Sequence, residues 1–271
     1  MIERPIQNEM VPALGFGTFE LTGCECRKAV ADALSIGYRH IDTARMYGNE
    51  EEVGYGMQDA AIKREDIFLT TKIWYTDLNA DNVRRELKTS LRELQTDYVD
   101  LLLIHWPNPD IPLKETLEAM MDLQQQGKAR HIGVSNFPTA IVEEAMAIAP
   151  IFCNQVEYHP YLGQPKLIDQ ARANDLLLTA YCPLAKGRVF KDETLEDIGR
   201  QHGKTPAQVA LRWLVQQNNV AAIPRSREHQ HRQYNFAIFD FALSNVEMTR
   251  IVQLDNQARL IDPAFAPAWD E

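Results

Sequence analysis

Cysteine is scarce in this sequence: Cys24, Cys26, Cys153 and Cys182 are the four thiols among 271 residues. They are too few to staple a chain of this length, which is long enough to bury a core without disulfides. Cys24 and Cys26 have neither a second pair nor a histidine cluster nearby, which argues against a zinc site. Long apolar runs are missing too. The most apolar short stretch, Val99 to Trp106, falls far below the ~20 residues that span a bilayer. The start, Met1 to Gln7, has no apolar leader segment, so no secretory signal is expected. Positive charge is in short supply, with 28 Lys and Arg against 38 Asp and Glu, a formal net charge of −10. That balance excludes general binding to nucleic acid or to an anionic membrane, yet a few local cations suffice for an anionic cofactor. Reduced thiols and ordinary globular composition point to a cytoplasmic protein, with a monomer as the default state.

Linkers, low-complexity runs and internal repeats are also absent, so residues 1–271 read as a single domain. Gly15-x-Gly17 invites a dinucleotide-binding reading, but no third glycine follows and no βαβ unit surrounds it. A Rossmann domain is excluded. What is present is a rhythm. Short apolar strands are expected into Asp42, over 67–72, 99–105, 132–135, 152–155, 176–181 and 220–223, with an eighth around Phe236 to Ile238. Amphipathic helices fill the intervals. The last two open on capping boxes, Thr205-Pro206-Ala207-Gln208 and Ser244-Asn245-Val246-Glu247. Apolar strands alternating with helices mean a parallel sheet, and about eight units in an undivided chain favour a closed α/β (β/α)8 TIM barrel.

The chain is organised around Asp42-Thr43-Ala44-Arg45-Met46-Tyr47-Gly48-Asn49-Glu50. Asp42 sits where a strand ends and Tyr47 on the loop into a helix, where active-site groups concentrate. Taken alone, Asp42 or Asn49 could simply cap that helix. Other strand ends shift the balance: Lys72, His105, Ser135-Asn136, Gln155 and Tyr181 would share the C-terminal mouth of such a barrel. The chemistry that fits is proton donation to a carbonyl. A free phenol has a pKa of about 10, and a nearby ammonium lowers it. Lys72 can play that part for Tyr47, Asp42 can hold Lys72, and His105 can hydrogen-bond the carbonyl. No HExxH or similar ligand spacing calls for a metal.

Several motifs together resemble the aldo-keto reductase superfamily: Asp42-Thr43-Ala44-x-x-Tyr47-x-Asn49-Glu50, Thr71-Lys72-Ile73-Trp74, Leu103-Ile104-His105-Trp106-Pro107 and Ile132 to Phe137. Asn154 to Pro160, Tyr181-Cys182-Pro183-Leu184 and Ile223-Pro224-Arg225-Ser226 continue the match along nearly the whole chain. The short loops and the ending from Arg259 to Asp270 are most similar to bacterial 2,5-diketo-D-gluconate reductases of the B type.

The resemblance implies a catalytic tetrad of Asp42, Tyr47, Lys72 and His105. It also implies NADPH as cofactor, with NADH tolerated. Tyr181 would stack on the nicotinamide while Ser135, Asn136 and Gln155 hold its carboxamide. Gly17, Thr18, Pro183, Leu184, Gly187 and Ile223 would line the cofactor. Arg225, Ser226 and a following basic residue such as Arg227 or His231 would grip the 2′-phosphate, with Asn235 near the adenine. Phe19, Trp74 and Trp106, with Tyr47 and His105, would form the substrate pocket. Small 2-oxo-aldehydes, aromatic aldehydes and sugar-derived diketones are the implied substrates. Three positions depart from the family's usual pattern. Arg225 stands for Lys, His231 for Arg, and Tyr234 for the Glu before Asn235. Arg227 and Arg232 are the neighbouring cations that could make up the difference.

Overall fold

The computed structural model describes residues 2–270. Two short strands, β1 (Glu3–Ile6) and β2 (Glu9–Pro12), form an antiparallel hairpin. Eight further strands run parallel in a second sheet: β3 (Phe16–Gly17), β4 (His40–Asp42), β5 (Phe68–Ile73), β6 (Val99–Ile104), β7 (Ala129–Ser135), β8 (Ile151–Glu157), β9 (Leu177–Tyr181) and β10 (Val220–Ala222). They pair in chain order from β3 to β10. The ends of the row then meet. Leu14 bridges Ala222, Gly15 N donates to Ala222 O at 2.8 Å and Gly17 N to Pro224 O at 3.1 Å. The sheet closes on itself as a (β/α)8 barrel, its helices outside.

Alternation along each strand sorts its side chains between two cores. On β5, Phe68, Thr70 and Lys72 point inward, whereas Leu69 and Ile73 join the outer apolar layer under the helices. The lower interior is filled by Phe68, Leu101, Leu103, Phe152 and Leu177, and the hairpin adds Ile6 and Val11 to the same cluster. The hairpin is therefore a stopper in the N-terminal end of the barrel. Above this apolar plug the inward positions become polar.

Local chemistry explains most element ends. Gly37 closes the helix Gly23–Ile36 at φ 128°, a conformation L side chains avoid, and a Cβ there would also strike the Phe236 ring. Both expected capping boxes form, Thr205 with Gln208 and Ser244 with Glu247. One strand differs from expectation. The segment around Phe236 to Ile238 is not the eighth strand: it is the end of the helix His229–Phe236, whose Phe236 ring packs at 4.9 Å on Tyr38. The eighth strand is the glycine-interrupted Phe16–Gly17 at the start of the chain. Gly15 and Gly17 serve close approach there, because a Cβ at Gly15 would lie 2.8 Å from His40 and one at Gly17 2.9 Å from the Ile223 carbonyl.

Candidate active site

Strands β4, β5, β6, β7, β8 and β9 bring Asp42, Lys72, His105, Ser135-Asn136, Gln155 and Tyr181 to one mouth. Lys72 is the centre. Its ammonium donates to Asp42 Oδ1 at 2.6 Å, to the Thr43 carbonyl at 2.9 Å and to the Tyr47 hydroxyl at 3.3 Å. Lys72 has no solvent exposure and Asp42 1%. Asp42 is thus engaged by a buried cation and is no helix cap. Asn49 occupies the N-cap position of the helix Glu50–Asp59, but its side chain makes no capping bond: its amide donates to the carbonyls of Thr18 and Leu21 and its oxygen accepts from Thr43 Oγ1. Tyr47 stands on a 3-10 turn, Arg45–Tyr47, that Gly48 closes in the left-handed region.

That turn is braced from behind. Arg45 pairs with Glu50 at 2.6 Å, Glu93 at 2.7 Å and Glu86 at 3.2 Å, and the buried Glu50 also accepts from Thr71 Oγ1 and Ser90 Oγ. Thr71 precedes Lys72 in the strand, so a single network fixes both the turn and the strand end. Sequence reading missed Arg45 and Glu50, although both lie inside the motif it singled out.

The electrostatics set the resting protonation states. Burial opposes the Lys72 ammonium, but Asp42 and Tyr47 outweigh it and hold the lysine pKa above its ordinary value. For Tyr47 burial is the largest influence and raises the phenol, with Lys72 pulling the other way. Tyr47 as a whole is part-exposed, yet its hydroxyl abuts the fully buried ammonium, and that inner environment governs its titration. Lys72 lowers the phenol pKa as expected, but burial outweighs the lysine and the net direction is upward. Tyr47 therefore rests as the protonated phenol, the form a proton donor needs. His105 is held well below the ordinary histidine range by burial and then by Lys72, so it is neutral. Its Nδ1 is buried without a hydrogen-bond partner. We assign the proton to Nε2, since a lone pair is less costly than a bare N–H there.

The neighbouring strand ends form a second polar ring. Gln155 donates to Asp42 Oδ2 at 2.7 Å, Ser135 Oγ to the Gln155 carbonyl at 2.8 Å, and Tyr181 Oη to Asn136 Oδ1 at 2.8 Å. Asn136 Nδ2 donates to the His105 carbonyl at 2.9 Å and holds φ 64°, a conformation asparagine tolerates. Beyond Tyr181 the backbone is left-handed at Cys182, Ala185, Lys186 and Gly187, so Pro183 and Leu184 lie in a tightly wound loop. Across the barrel seam, Gly17 and Thr18 are buried, and the Thr18 N–H and Oγ1 both donate to the Asp42 carbonyl at 3.0 Å. Ile223 is buried beside them.

From Ile223 the chain runs to Arg225, which pairs with Glu20, and Arg227, which donates to the Glu20 carbonyl at 3.1 Å. Ser226 Oγ accepts from Glu228 N. Arg232 is buried and committed to Asp32 at 2.6 Å and to the carbonyls of Ser226 and Arg227. It holds this loop in shape and is not available to an anion. His231 is exposed on the same helix, and Asn235 is buried on it.

Aromatic rings enclose the side of the mouth next to Tyr47. Phe19 lies 5.0 Å from Tyr47 and Trp74 5.0 Å from His105, between ring centroids. Trp106 is buried. Phe265, from the tail, touches both tryptophans at 5.8 and 5.5 Å, and Trp269 reaches Trp106 at 5.9 Å. Both tail rings were missed from the sequence. Two aromatics following the last helix among prolines are the signal that could have found them. Two surface grooves flank the helix Ala80–Glu93 and touch none of these residues. Among the described residues no group of three His, Cys, Asp or Glu side chains is placed to hold a metal ion.

The barrel has a buried Asp–Lys–Tyr chain with a neutral histidine at its mouth, and the sequence comparisons identify its family. A profile of the Aldo/keto reductase family matches residues 13–256. The chain belongs to the aldo-keto reductase family. Methylglyoxal reductase DkgB of Salmonella typhimurium is 39% identical over 266 residues, covering 96% of this chain and 99% of that protein. Glyoxal reductase of Bacillus subtilis is 40% identical, covering 92% and 91%. Among solved structures, one assigned as a 2,5-diketo-D-gluconic acid reductase B is 46% identical and superimposes with a TM-score of 0.97 over 100% of this chain and 98% of that one. This aldo-keto reductase is accordingly an oxidoreductase that acts on carbonyl groups with a nicotinamide cofactor. The donor set fits such a group. The half-buried Tyr181 ring offers a flat face, Ser135 and Asn136 bring hydroxyl and amide groups to it, and Arg225 and Arg227 are cations on the loop after Ile223, suited to a phosphate.

Proposed function

We propose that this protein reduces aldehydes and ketones to alcohols with NADPH, and that Tyr47 donates the proton. The observation that carries the reading is the Asp42–Lys72–Tyr47 chain at 2.6 and 3.3 Å with His105 beside it. When bound, the nicotinamide supplies the hydride to the carbonyl carbon. Lys72 and Asp42 keep the phenol hydrogen-bonded from behind, and the phenol releases its proton to the carbonyl oxygen as negative charge develops there. As Tyr47 becomes phenolate, the adjacent ammonium stabilises the new charge in a site largely shut off from water. His105 Nε2–H donates to the same oxygen and orients it. Tyr181 carries the nicotinamide on its face, with Ser135 and Asn136 around the carboxamide.

Gln155 has a different first duty, fixing Asp42 through its amide. Gly17, Thr18, Pro183, Leu184, Gly187 and Ile223 line the cofactor's length. Arg225, Ser226, Arg227 and His231 surround the 2′-phosphate, and Asn235 the adenine. Phe19, Trp74 and Trp106 wall a pocket for small 2-oxo-aldehydes, aromatic aldehydes and sugar-derived diketones; the names of its relatives point to the first and the last of these. The protein acts as a single-domain monomer in the cytoplasm.

The test is the loss of NADPH absorbance with methylglyoxal and a neutral aromatic aldehyde, in the wild type and in Tyr47→Phe. Removing the sole proton donor should cost the upper part of the ~10²–10⁴-fold that general acids contribute, while NADPH still quenches protein fluorescence. Near-normal turnover by Tyr47→Phe would remove the phenol from the mechanism.

A further inference from the structure

The tail that closes the aromatic wall also carries a cation that no carboxylate hydrogen-bonds among the described residues. Arg259 makes no side-chain hydrogen bond and no ion pair among the described residues, and its Nη1 is buried with no acceptor. Its guanidinium lies 3.7 Å from the centroid of the Trp269 ring, which continues through Trp106, Phe265 and Trp74 to His105.

Carboxylates are not lacking around it, because Glu157, Asp262 and Asp270 all act on its charge. Each is taken by another donor. Glu157 accepts from the backbone of Leu260 at 2.8 Å and Ile261 at 2.9 Å and faces His159; Asp262 accepts from Trp269 Nε1; Asp270 accepts from Thr139 N and Oγ1. The tail is thus folded by the acids that could have paired with Arg259, and the guanidinium is left over at the mouth, close enough to Tyr181 for the two to interact electrostatically. Partial burial of an unpaired cation is costly, and planar guanidinium is suited to bidentate carboxylate recognition.

We propose that Arg259 receives the carboxylate of the substrate, so that the enzyme prefers carbonyl compounds bearing an acid group along the aromatic wall. This rests on the carbonyl-reductase reading above. The shared chemistry, an oxyanion on guanidinium, also describes the cofactor diphosphate, and Lys186 Nζ does reach the Leu260 carbonyl from the loop after Tyr181 at 3.4 Å. The favoured source is the substrate, because Arg259 is stacked on the ring that ends the pocket wall.

Two acid–ester pairs of different reach separate these sources: 4-carboxybenzaldehyde and 4-formylcinnamic acid, each with its methyl ester. Steady-state kinetics are measured for the wild type, Arg259→Gln and Arg259→Lys, with NADPH affinity from fluorescence quenching. The expected result is a fall of about 10- to 100-fold in kcat/KM for at least one acid in Arg259→Gln, carried by KM, with its ester within twofold. Arg259→Lys should recover part of the loss. An equal fall for acid and ester would make Arg259 a support for Trp269 and overturn the proposal. So would unchanged acid-to-ester ratios, or a loss of NADPH affinity alone, which would assign the residue to the cofactor diphosphate. If the wild type reduces neither acid nor ester, the carbonyl-reductase reading fails and this proposal with it.

Discussion

Lys72 and Arg225, two of the cations that face carboxylates, sit in opposite circumstances. Lys72 is sealed inside the barrel mouth, tied to Asp42 and to a strand-end carbonyl. Arg225 lies on a surface loop, and its partner Glu20 is itself more than half exposed. Breaking a buried pair costs about 3–5 kcal/mol, whereas an exposed pair is worth only ~0–1 kcal/mol. The charge at the chemical end is therefore fixed before anything binds. At the proposed cofactor end Glu20 holds Arg225 by an exposed pair that a bound phosphate would displace at little cost. Rigidity is concentrated at the proposed proton donor, and exchangeability at the proposed cofactor loop.

The largest effect should come from Lys72→Met, which would abolish the contrast. Activity should fall by roughly the ~10²–10⁴-fold of a lost acid catalyst, and stability by up to about 3–5 kcal/mol as Asp42 loses its counter-charge. The sign of the pH effect is fixed. Lys72 opposes the upward push of burial on Tyr47, so without it the phenol rises further. Residual reduction needs the protonated phenol, so its alkaline limb should move to higher pH. A limb that stays in place would contradict the role given to Lys72.

Arg45→Met tests whether the sealed end extends to the turn behind Tyr47. Burial already raises Glu50, with Arg45 opposing, and the variant leaves that acid with only Thr71 and Ser90. We expect a melting temperature several degrees lower and a kcat reduced about tenfold with little change in KM, the mark of a misplaced donor. An unchanged kcat in a folded variant would confine Arg45 to stability.

Glu20→Gln acts at the exchangeable end. Removing the resident anion should tighten NADPH severalfold, in line with the ~0–1 kcal/mol of such a pair, and leave NADH unchanged. Equal gains for both cofactors would place Glu20 away from the 2′-phosphate. The smallest effect is expected at His231, which is exposed and whose side chain makes no hydrogen bond among the described residues. His231→Arg should raise the NADPH-to-NADH ratio of kcat/KM by a few-fold through one added charge-assisted contact, and His231→Ala should change it by less than about twofold. A tenfold loss in His231→Ala would show that the imidazole already grips the phosphate.

Much of this was legible in the sequence because the barrel repeats one rule. Apolar strands ending in polar residues gave the register of the mouth, and Asp42, Lys72, His105 and Gln155 all fall where period-two alternation puts an inward side chain. The eighth strand was misplaced because Phe16–Gly17 is two residues long and built for close approach, with no apolar run to betray it. The net direction for Tyr47 was misjudged because sequence shows a neighbouring lysine but not the depth of burial around the phenol. In the sequence Arg232 is a neighbouring cation that could make up for the departures at Arg225 and His231. Its commitment to Asp32, 200 positions away, is a tertiary fact. Phe265, Trp269 and Arg259 lie in a tail without periodicity, where only the fold says what each side chain meets.

The closure of the barrel has a consequence for its motions. The seam between β3 and β10 is held by few backbone hydrogen bonds, and β3 contributes just two residues to it. Gly17 and Thr18 on one side, with Ile223 and Arg225 on the other, are the groups proposed to line the cofactor, so the ligand would lie across the seam as a rivet. Amides of Gly15, Gly17 and Ala222 should then exchange with deuterium readily in the free protein. They should slow by orders of magnitude with NADPH, far more than those of β6 and β7 on the opposite wall, whose pairing needs no such help.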